Sequence, residues 1–590
     1  MAVMTDREGR VWEYKLVAAA AGCAVFALLA LTAFPGVLAG GPPGLPVGAT
    51  LAVTAAGFGS MAVLIVAGAW LHHRWFFSGL QRLRRGLGDP AGWLDHHDLR
   101  ESSGPDAVIG EAERFWGRPP GAVTLPEAGW EVGELISGRW TVRARSMYAP
   151  YPRSVCILGP QGSRKSQFLI PMVLDAPGAA VVTSSKGEMI AWTAALRARR
   201  GPVAFFDPLG VTGGRHDFPF DPVWNCARLT PAGQPDPDYA DAISAAMIRG
   251  AMVHKKMNEE FWADAGREIL RCYLLAADLE GKGSEKVQQW AHNPDNGEVI
   301  AVLERRPERV PPGWLSLLRQ RLGTNPRMRD GYLATVASCM DYLGHPGGMA
   351  AIKRPSLEVR DDIAGFLEAR TTLYIVGDKT KRGMSSLMTA LTESLAFRAR
   401  ERAARLGGHL PEPFSLFLDE VANLTPVDLP TYAAETRGWG IFTVAVLQSR
   451  AQLDSTWGED AAKVIWDNLV TKVILGSQAD EAFLEGLSRL AGERRVPVTA
   501  DTTGRGGVSA THRLERVIPL GQLRGLPPNT ALILGPARHP AVVRFEAGYE
   551  RLARERTATA RAPFWPRWWR QPLLAATRAF GLTDTRSLGR

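Results

Sequence analysis

The segment from residue 153 to residue 171 reads RSVCILGPQGSRKSQFLIP. A short apolar run, Val155–Leu158, leads into a glycine-containing turn that ends in Lys165-Ser166 before a helix-compatible segment. This order is typical of a Walker A loop, in which backbone N–H groups hold phosphates at a helix N-terminus. The lysine would reach the β- and γ-phosphates, and the serine hydroxyl would ligate Mg²⁺. Taken alone, the segment also fits a basic glycine turn without a ligand.

One position of this loop departs from the standard spacing. The pattern G-x-x-x-x-G-K-[ST] places glycine where this chain has Arg164. Glycine lets a backbone approach phosphate without a Cβ atom, and Gly162 supplies part of that freedom two residues earlier. Arg164 either distorts the cradle, so that turnover is slow or absent, or contacts phosphate itself. The candidate nucleotide-binding residues are Gly159, Gly162, Ser163, Arg164, Lys165 and Ser166.

A second motif closes an apolar run with two carboxylates. Residues 414–420 read FSLFLDE, which is the pattern of a Walker B strand. Asp419 would hold Mg²⁺ through water, and Glu420 would polarise the attacking water. Apolar strands that end in Asp-Glu also arise by chance. Its order after a Walker A loop favours a P-loop site for ATP and Mg²⁺, with Ser166 and Asp419 as metal ligands.

Composition limits the other classes of site. The chain has 590 residues, a formal net charge of +9 and a pI near 9.4, so several domains and an anionic partner such as nucleic acid or lipid headgroups fit it. No C-x-x-C pair occurs, which argues against a zinc site or a disulfide framework and predicts buried, reduced thiols. The five cysteines are Cys23, Cys156, Cys226, Cys272 and Cys339.

Two apolar segments lie near the N-terminus, from Leu16 to about Gly40 and at Ala49–Leu71. Each is long enough to cross about 30 Å of hydrocarbon as a helix. Basic residues flank the pair on both sides, which places both chain ends in the cytoplasm and leaves a very short outer loop. We therefore predict a membrane anchor of two helices in residues 1–85. A signal peptide is disfavoured because the second run follows at once, and a single buried or re-entrant segment is the alternative.

The remaining chain is typical of an α/β protein. Short continuous apolar runs alternate with helical patterns such as Ser385–Leu406, which predicts a doubly wound, mostly parallel sheet. The runs lie at 154–158, 179–183, 202–206, 371–376, 414–418, 441–447 and 470–475.

A long helical stretch separates the two nucleotide motifs. Almost no strand-like run occurs from about Pro231 to Asp361, and Asn258–Leu279 has helical apolar spacing. An all-helical domain inserted into the nucleotide core is the simplest interpretation, because one crossover rarely takes so many residues; a set of crossover helices is the alternative. The predicted domains are a membrane anchor (1–85), a first nucleotide-binding part (86–228), a helical insertion (229–365), a second nucleotide-binding part (366–550) and a basic tail (551–590).

The tail interleaves tryptophan and arginine. Residues 561–570 read RAPFWPRWWR, with prolines that interrupt long helices. Interfacial membrane contact and stacking on single-stranded nucleic acid both use this composition. A tail folded onto the body of the protein is the third possibility.

Further motifs resemble those of the type IV secretion coupling proteins, the membrane-anchored conjugative DNA-transfer ATPases of the TraG/TraD class. The order of two spans, Walker A, inserted helices and Walker B is similar over about residues 10 to 550. The shorter motifs that agree are Lys186-Gly187-Glu188, Trp224-Asn225, Phe261-Trp262, the block from Glu435 through Arg437-Gly438 to Gly440, Gln448 after VAVL, Asp467-Asn468 and TKVILG.

The resemblance implies a RecA-like core in a homo-oligomeric, hexameric ring at the inner membrane. Such a ring docks DNA, single- or double-stranded, with a relaxase-type nucleoprotein, or an effector protein, and drives it toward the membrane proteins of a secretion channel. It implies that Gln448 senses the γ-phosphate or orients water, and that Arg437 acts as an arginine finger in the next subunit. Alternatively, Arg437 pairs with Glu435, Gln448 satisfies backbone at a strand end, and Lys186 is an ordinary loop lysine. Trp224-Asn225 and Phe261-Trp262 more often serve packing.

Other functions compete with a translocating motor. Arg164 also fits a non-hydrolysing scaffold that recruits substrate for a partner ATPase. A chromosome-partitioning DNA translocase would carry more spans and a winged-helix tail, and a protein-exporting ring ATPase of another class would repeat the nucleotide domain. Neither feature is found in this sequence.

Overall fold

The computed structural model describes most of the chain after residue 90. It covers residues 91–137, 146–211, 220–223, 236–252, 260–295, 297–352, 363–378, 383–500, 509–535 and 537–561, with single residues at 83, 87, 213, 218 and 381. The described residues within Pro90–Arg590 form one compact unit.

An eleven-stranded mixed sheet forms the centre of this unit. Its strand order is β2-β1-β13-β12-β9-β3-β8-β7-β4-β6-β5. The seven strands from β9 to β5 are parallel, and β12, β13, β1 and β2 extend the sheet with antiparallel pairs. The strands are β1 (Gly129–Leu135), β2 (Ser146–Pro150), β3 (Val155–Leu158), β4 (Ala180–Ser184), β5 (Val203–Phe206), β6 (Thr372–Val376), β7 (Phe414–Leu418), β8 (Ile441–Leu447), β9 (Thr471–Leu475), β12 (Thr530–Leu534) and β13 (Ala541–Arg544).

The seven predicted parallel strands are confirmed, each within about a residue of its predicted position. Their side chains are almost all buried, since helices cover both faces of a parallel sheet. The four antiparallel strands were missed. In β1 the glycines Gly129 and Gly133 interrupt the apolar pattern, and a bulge lies between Glu131 and Gly133. A search for continuous apolar runs does not find such a strand.

Helices precede, connect and follow the strands of this sheet. They are α1 (His96–Ser102), α2 (Pro105–Trp116), α3 (Leu125–Ala128), α4 (Lys165–Asp175), α5 (Glu188–Arg197), α13 (Ile363–Glu368), α14 (Met384–Arg405), α15 (Val421–Leu424), α16 (Leu429–Ala434), α17 (Ala451–Trp457), α18 (Glu459–Asn468), α19 (Glu481–Leu490), α20 (Leu520–Arg524) and α21 (Gly548–Arg561). A separate hairpin, β10 (Glu493–Ala500) and β11 (Ser509–Arg516), forms its own two-stranded sheet.

The described chain between β5 and β6 is helical, apart from one isolated bridge between Phe220 and Ile352. The predicted boundary at residue 365 falls inside α13, and the one at 550 falls inside α21. The remaining helices are α6 (Pro237–Ala251), α7 (Glu260–Leu279), α8 (Ser284–Ala291), α9 (Glu298–Glu304), α10 (Trp314–Leu322), α11 (Pro326–Cys339) and α12 (Pro346–Ala351), with 3₁₀ turns at Pro307–Arg309 and Asp341–Gly344.

Several predictions concern the ends of the chain and the cysteines. None of the helices in the described part combines the length and apolar character that a membrane span requires. The predicted spans, the anchor region 1–85 apart from residue 83, and the Trp/Arg-rich segment after residue 561 lie outside that part. Cys156, Cys272 and Cys339 are buried, and the described residues hold no cluster of His, Cys, Asp and Glu suited to a metal.

Candidate nucleotide site

Parallel pairing brings the candidate residues to one edge of the sheet. β8 lies between β3 and β7, and Leu158 of β3 is in register with Leu447 of β8. The residues that follow these strands, Gly159, Gln448 and Asp419, therefore emerge side by side at the carboxyl edge. The loop is joined to this edge by the N–H of Gly159, which donates to the carbonyl of Leu447 at 3.2 Å.

Close packing and a left-handed turn shape the loop. A Cβ atom at Gly159 would overlap the side chain of Ser163 and lie 3.0 Å from that of Leu475, so glycine is required for steric reasons. Gly162 has φ +82°, a conformation that glycine adopts without strain, and the space around it is open. The N–H of Ser163 closes the turn by donating to the carbonyl of Pro160 at 3.2 Å.

Arg164 adopts the left-handed conformation, with φ 70° and ψ 29°, just before α4 begins at Lys165. Its guanidinium lies against the C-terminal part of the chain, where Nη1 donates to Oδ1 of Asn529 at 2.9 Å. The arginine thus takes the backbone geometry that glycine provides in the standard pattern. The guanidinium is therefore hydrogen-bonded within the protein, and the two alternatives for Arg164, a distorted cradle or direct contact with phosphate, stay predictions.

The lysine of the motif is folded back on the loop. Lys165 Nζ donates to the carbonyl oxygens of Gly159 at 2.7 Å and of Pro160 at 2.9 Å. Burial lowers the pKa of this amine, while the charges of Asp419 and Glu420 oppose the shift. The ammonium group is therefore bound to the loop and within electrostatic range of the two carboxylates.

The carboxylate pair differs in environment. Asp419 is 7% exposed, and burial, followed by the nearby charge of Glu420, raises its pKa to about 6, although Lys165 acts in the opposite direction. Glu420 is half-buried and holds a left-handed backbone with φ 51°. Such strain is commonly found at functional positions.

These residues fit a nucleotide with its metal ion. Ser163 Oγ is buried and has no hydrogen-bond partner among the described residues, so it can donate to a ligand in the loop. Within the described part of the chain, Lys165 Nζ hydrogen-bonds to carbonyl oxygens, which phosphate oxygens can replace. The half-buried Ser166 and the buried Asp419 are oxygen ligands of the type that Mg²⁺ prefers.

Two further predicted residues reach the same edge. Gln448 is half-buried, and its N–H donates to Oε1 of Gln452 at 2.8 Å. Lys186 follows β4 and is exposed, and its positive charge acts to lower the pKa values of both Asp419 and Lys165. Lys186 therefore belongs to the electrostatic environment of the site.

Arg437 lies away from this group. It is exposed in the 3₁₀ turn Thr436–Trp439, which precedes β8 at the opposite edge of the sheet. The seven residues of β8 span about 20 Å, so the structure does not bring Arg437 to the phosphate loop of its own chain. Among the described residues it forms no ion pair with Glu435.

The structure describes one of the two aromatic motifs, Phe261-Trp262. Trp262 packs against Tyr332, with ring centroids 5.4 Å apart, and its ring fills the space beside Gly331. This arrangement supports the packing interpretation of Trp262, whereas Phe261 is 50% exposed. Trp224-Asn225 lies outside the described residues.

Sequence reasoning missed Asn529 and Tyr549. Both lie more than 350 residues from the loop in sequence and belong to no recognised motif. The signal that points to them is the left-handed backbone of Arg164 together with the hydrogen bond that its guanidinium makes. This signal appears only in the folded structure.

A cavity of about 360 Å³ opens at the other edge of the sheet, beside the residues that precede β4, β6 and β7. Two of its lining arginines are engaged within the protein: Arg370 forms a bidentate pair with Glu412, and Arg118 donates to the carbonyl of Pro411 at 2.8 Å. The cavity is separate from the phosphate loop, and we assign no function to it.

Comparison with known proteins agrees with the motifs. The family described as "TraM recognition site of TraD and TraG" matches residues 413–528, which include Asp419-Glu420, Arg437 and Gln448. No curated protein sequence matches the chain. The predicted resemblance to the TraG/TraD class is confirmed by the family match together with similar solved structures.

Three of those structures are forms of the coupling protein TrwB. The unbound bacterial conjugative coupling protein TrwBdeltaN70 is 20% identical over 68% of this chain and 87% of that one, with a TM-score of 0.51. TrwB in complex with ADP and Mg²⁺ is 18% identical over 68% and 87%, with a TM-score of 0.50. TrwB with the non-hydrolysable GTP analogue GDPNP is 18% identical over 78% and 96%, with a TM-score of 0.51. The predicted α/β fold class is confirmed by this likeness.

Proposed function

We propose that this chain is a Mg²⁺-dependent nucleoside triphosphatase that moves DNA in a conjugative, type IV-like transfer system. The observation that carries the proposal is the convergence of Lys165 with Asp419 and Glu420 at one sheet edge, where their charges interact. The similar protein TrwB has been captured with ADP and Mg²⁺, which supports ATP and Mg²⁺ as the ligands here.

The chain's own residues would divide the work as follows. Lys165 would exchange the carbonyls of Gly159 and Pro160 for β- and γ-phosphate oxygens, and Ser163 would add a hydroxyl donor. Ser166 and Asp419 would hold the metal ion, which supplies charge stabilisation for phosphoryl transfer. Glu420 would orient the attacking water and accept its proton.

Gln448 and Arg437 would act at different distances from the phosphates. Gln448 lies beside the loop, where its amide can orient water. Arg437 lies at the far edge, so any contact with phosphate would come from another copy in a ring. A hexamer is proposed on this ground and on the family resemblance.

The partners follow from the same proposal. DNA with a relaxase-type nucleoprotein is the proposed substrate, supported by the family match over residues 413–528 and by the positive net charge. The two apolar segments would anchor the protein in the inner membrane beside the channel proteins, with both ends in the cytoplasm. Labelling of single cysteines placed at residues 5 and 90 in sealed inverted vesicles tests this topology; protection of either position would contradict it.

Hydrolysis of ATP by the purified chain is the first test, measured with and without single-stranded and double-stranded DNA. We expect DNA-stimulated turnover that Glu420→Gln abolishes, because the carboxylate that orients water is lost. Nucleotide binding without turnover, in an oligomeric sample, would instead favour a recruiting scaffold. In a mating assay, Lys165→Ala and Asp419→Ala should each abolish transfer while membrane insertion persists; normal transfer would contradict the motor.

A further inference from the structure

Arg164 occupies a backbone conformation that costs an arginine energy. Left-handed geometry is unfavourable for an L-residue, whereas glycine adopts it freely. The same conformation recurs at Asn529, which has φ 61°. Two non-glycine residues in this region, on segments far apart in sequence, therefore meet through their side chains.

The contact between them has a defined polarity. Arg164 Nη1 donates to Asn529 Oδ1 at 2.9 Å, and Asn529 Nδ2 donates to the hydroxyl of Tyr549 at 2.8 Å. Arginine cannot accept a hydrogen bond, so the amide oxygen must face it and the amide nitrogen must face Tyr549. Asn529 is 8% exposed, and both ends of its amide are therefore fixed in a nearly buried setting.

The segment from Phe545 to Arg551 binds Asn529 through the hydroxyl of Tyr549 and the N–H of Phe545, and this segment is itself fixed to α4. The N–H of Tyr549 donates to Oε1 of Gln167 at 3.2 Å, near the start of the helix. Arg551 forms a bidentate pair with Asp175 at the end of the same helix, and Phe545 packs edge-to-face on Phe168. Asn529 is thus held in place relative to the loop that Arg164 ends.

We propose that Asn529 is a positioning residue of the phosphate loop. It holds the Arg164 guanidinium outside the cradle, and so stabilises an arginine at the left-handed position that the standard pattern reserves for glycine. The inference rests on the nucleotide binding proposed above and extends the site to the C-terminal part of the chain. A hydrogen bond to a charged group is strong enough to offset the left-handed conformation.

The test removes the amide without adding strain. Asn529→Gly keeps a residue that tolerates φ 61° and deletes the acceptor for Arg164. We expect the affinity for ADP with Mg²⁺ to fall about tenfold, because the loop loses a charge-assisted bond. Titration with a fluorescent ADP analogue measures this affinity, and chemical unfolding of the same samples measures stability.

The control is the same substitution in an Arg164→Gly background. In that background glycine adopts the left-handed conformation without a stabilising hydrogen bond. Asn529→Gly should therefore change the affinity for ADP with Mg²⁺ less than twofold. Asn529→Asp, which keeps an acceptor for Arg164, should retain the affinity of the unsubstituted chain. If Asn529→Gly fails to fold, Tyr549→Phe provides a milder change, with a smaller loss that again disappears in the Arg164→Gly background.

The possible outcomes distinguish a positioning role of Asn529 from a general structural one. An equal loss in both backgrounds would make Asn529 a general structural residue, and no loss in the arginine background would remove the positioning role; either result overturns the inference while nucleotide binding stands. Failure of the unsubstituted chain and of Arg164→Gly alike to bind nucleotide would overturn the proposed function together with the inference.

Discussion

Asp419 carries a buried carboxyl group whose charged form costs stability. Its carboxyl is 7% exposed, and its pKa is raised from 3.8 to about 6, mainly by burial. Between about pH 4 and pH 6 the folded chain therefore binds more protons than the unfolded chain. By linkage, the stability of the nucleotide-free protein falls as the pH rises through this window, and the cost is fully present at neutral pH.

Asp419→Asn should therefore stabilise the nucleotide-free protein. At pH 7.5 we expect a gain of about 1–3 kcal/mol in the free energy of unfolding, since a neutral amide avoids the buried charge. At pH 4 the gain should approach zero, because the wild-type carboxyl is then protonated. Chemical unfolding at both pH values checks this, with Asp264→Asn, an exposed carboxylate, as the control; a loss of stability at pH 7.5 would contradict the account.

The residues of the site were predictable to different degrees. Lys165, Ser166, Asp419 and Glu420 follow from short motifs because their chemistry requires neighbours in sequence. Asn529 does not, since it acts through a hydrogen bond to a residue 365 positions away. Sequence alone shows that Arg164 departs from the pattern, but only the fold shows where its side chain goes.

At the scale of elements, one carboxylate joins the helical segment between β5 and β6 to the nucleotide core. Glu393 on α14 accepts from Arg249 on α6 and from the N–H of Asp428, at 2.6 Å, in the segment after the Walker B strand. The Glu393 side chain is only 11% exposed. Two elements on different parts of the chain therefore depend on a single acceptor.

Loss of this acceptor should be costly. Glu393→Ala leaves the Arg249 charge without its partner and frees the Asp428 N–H, and we expect about 3–5 kcal/mol of destabilisation. Glu393→Gln with Arg249→Met should cost much less, because no unpaired charge remains. Chemical unfolding of Glu393→Gln, of Arg249→Met and of the double variant gives the coupling energy between the two side chains.

An exposed ion pair provides the comparison. Arg319 and Glu304 pair on the surface of the helical segment, with side chains about half exposed. Glu304→Ala should change stability by less than about 1 kcal/mol. A Glu393 effect no larger than this would show that the buried contact does not couple α6 to the core.

The elements themselves were predictable where burial leaves a simple pattern. The seven parallel strands are covered on both faces, so they read as continuous apolar runs. In the antiparallel extension, β1 was missed because it contains glycines and a bulge. The separate hairpin β10–β11 was missed because it carries polar and charged residues, such as Arg495 and Arg513, that resemble a loop. Pairing of distant strands compensates for these weak local patterns.

For the whole molecule, the sheet separates the two groups that the family resemblance assigns to one reaction. Lys165 and Asp419 lie at the carboxyl edge, and Arg437 lies about 20 Å away at the other edge. If Arg437 stabilises the phosphoryl group, it does so on a neighbouring copy. In a ring built from head-to-tail contacts, each copy meets its two neighbours through two different surfaces, so a site can combine the phosphate loop of one copy with a residue of the next.

Mixing two inactive variants tests this arrangement. Arg437→Ala retains its phosphate loop, and Lys165→Ala retains its arginine, so a 1:1 mixture should contain intact combined sites at about a quarter of its interfaces. We expect DNA-stimulated ATP hydrolysis to reappear to about that extent. A mixture of Lys165→Ala with Asp419→Ala should stay inactive, because both lesions affect the same edge and no copy carries a complete loop. Activity in Arg437→Ala alone, or no recovery in its mixture, would show that Arg437 does not complete the site of a neighbour.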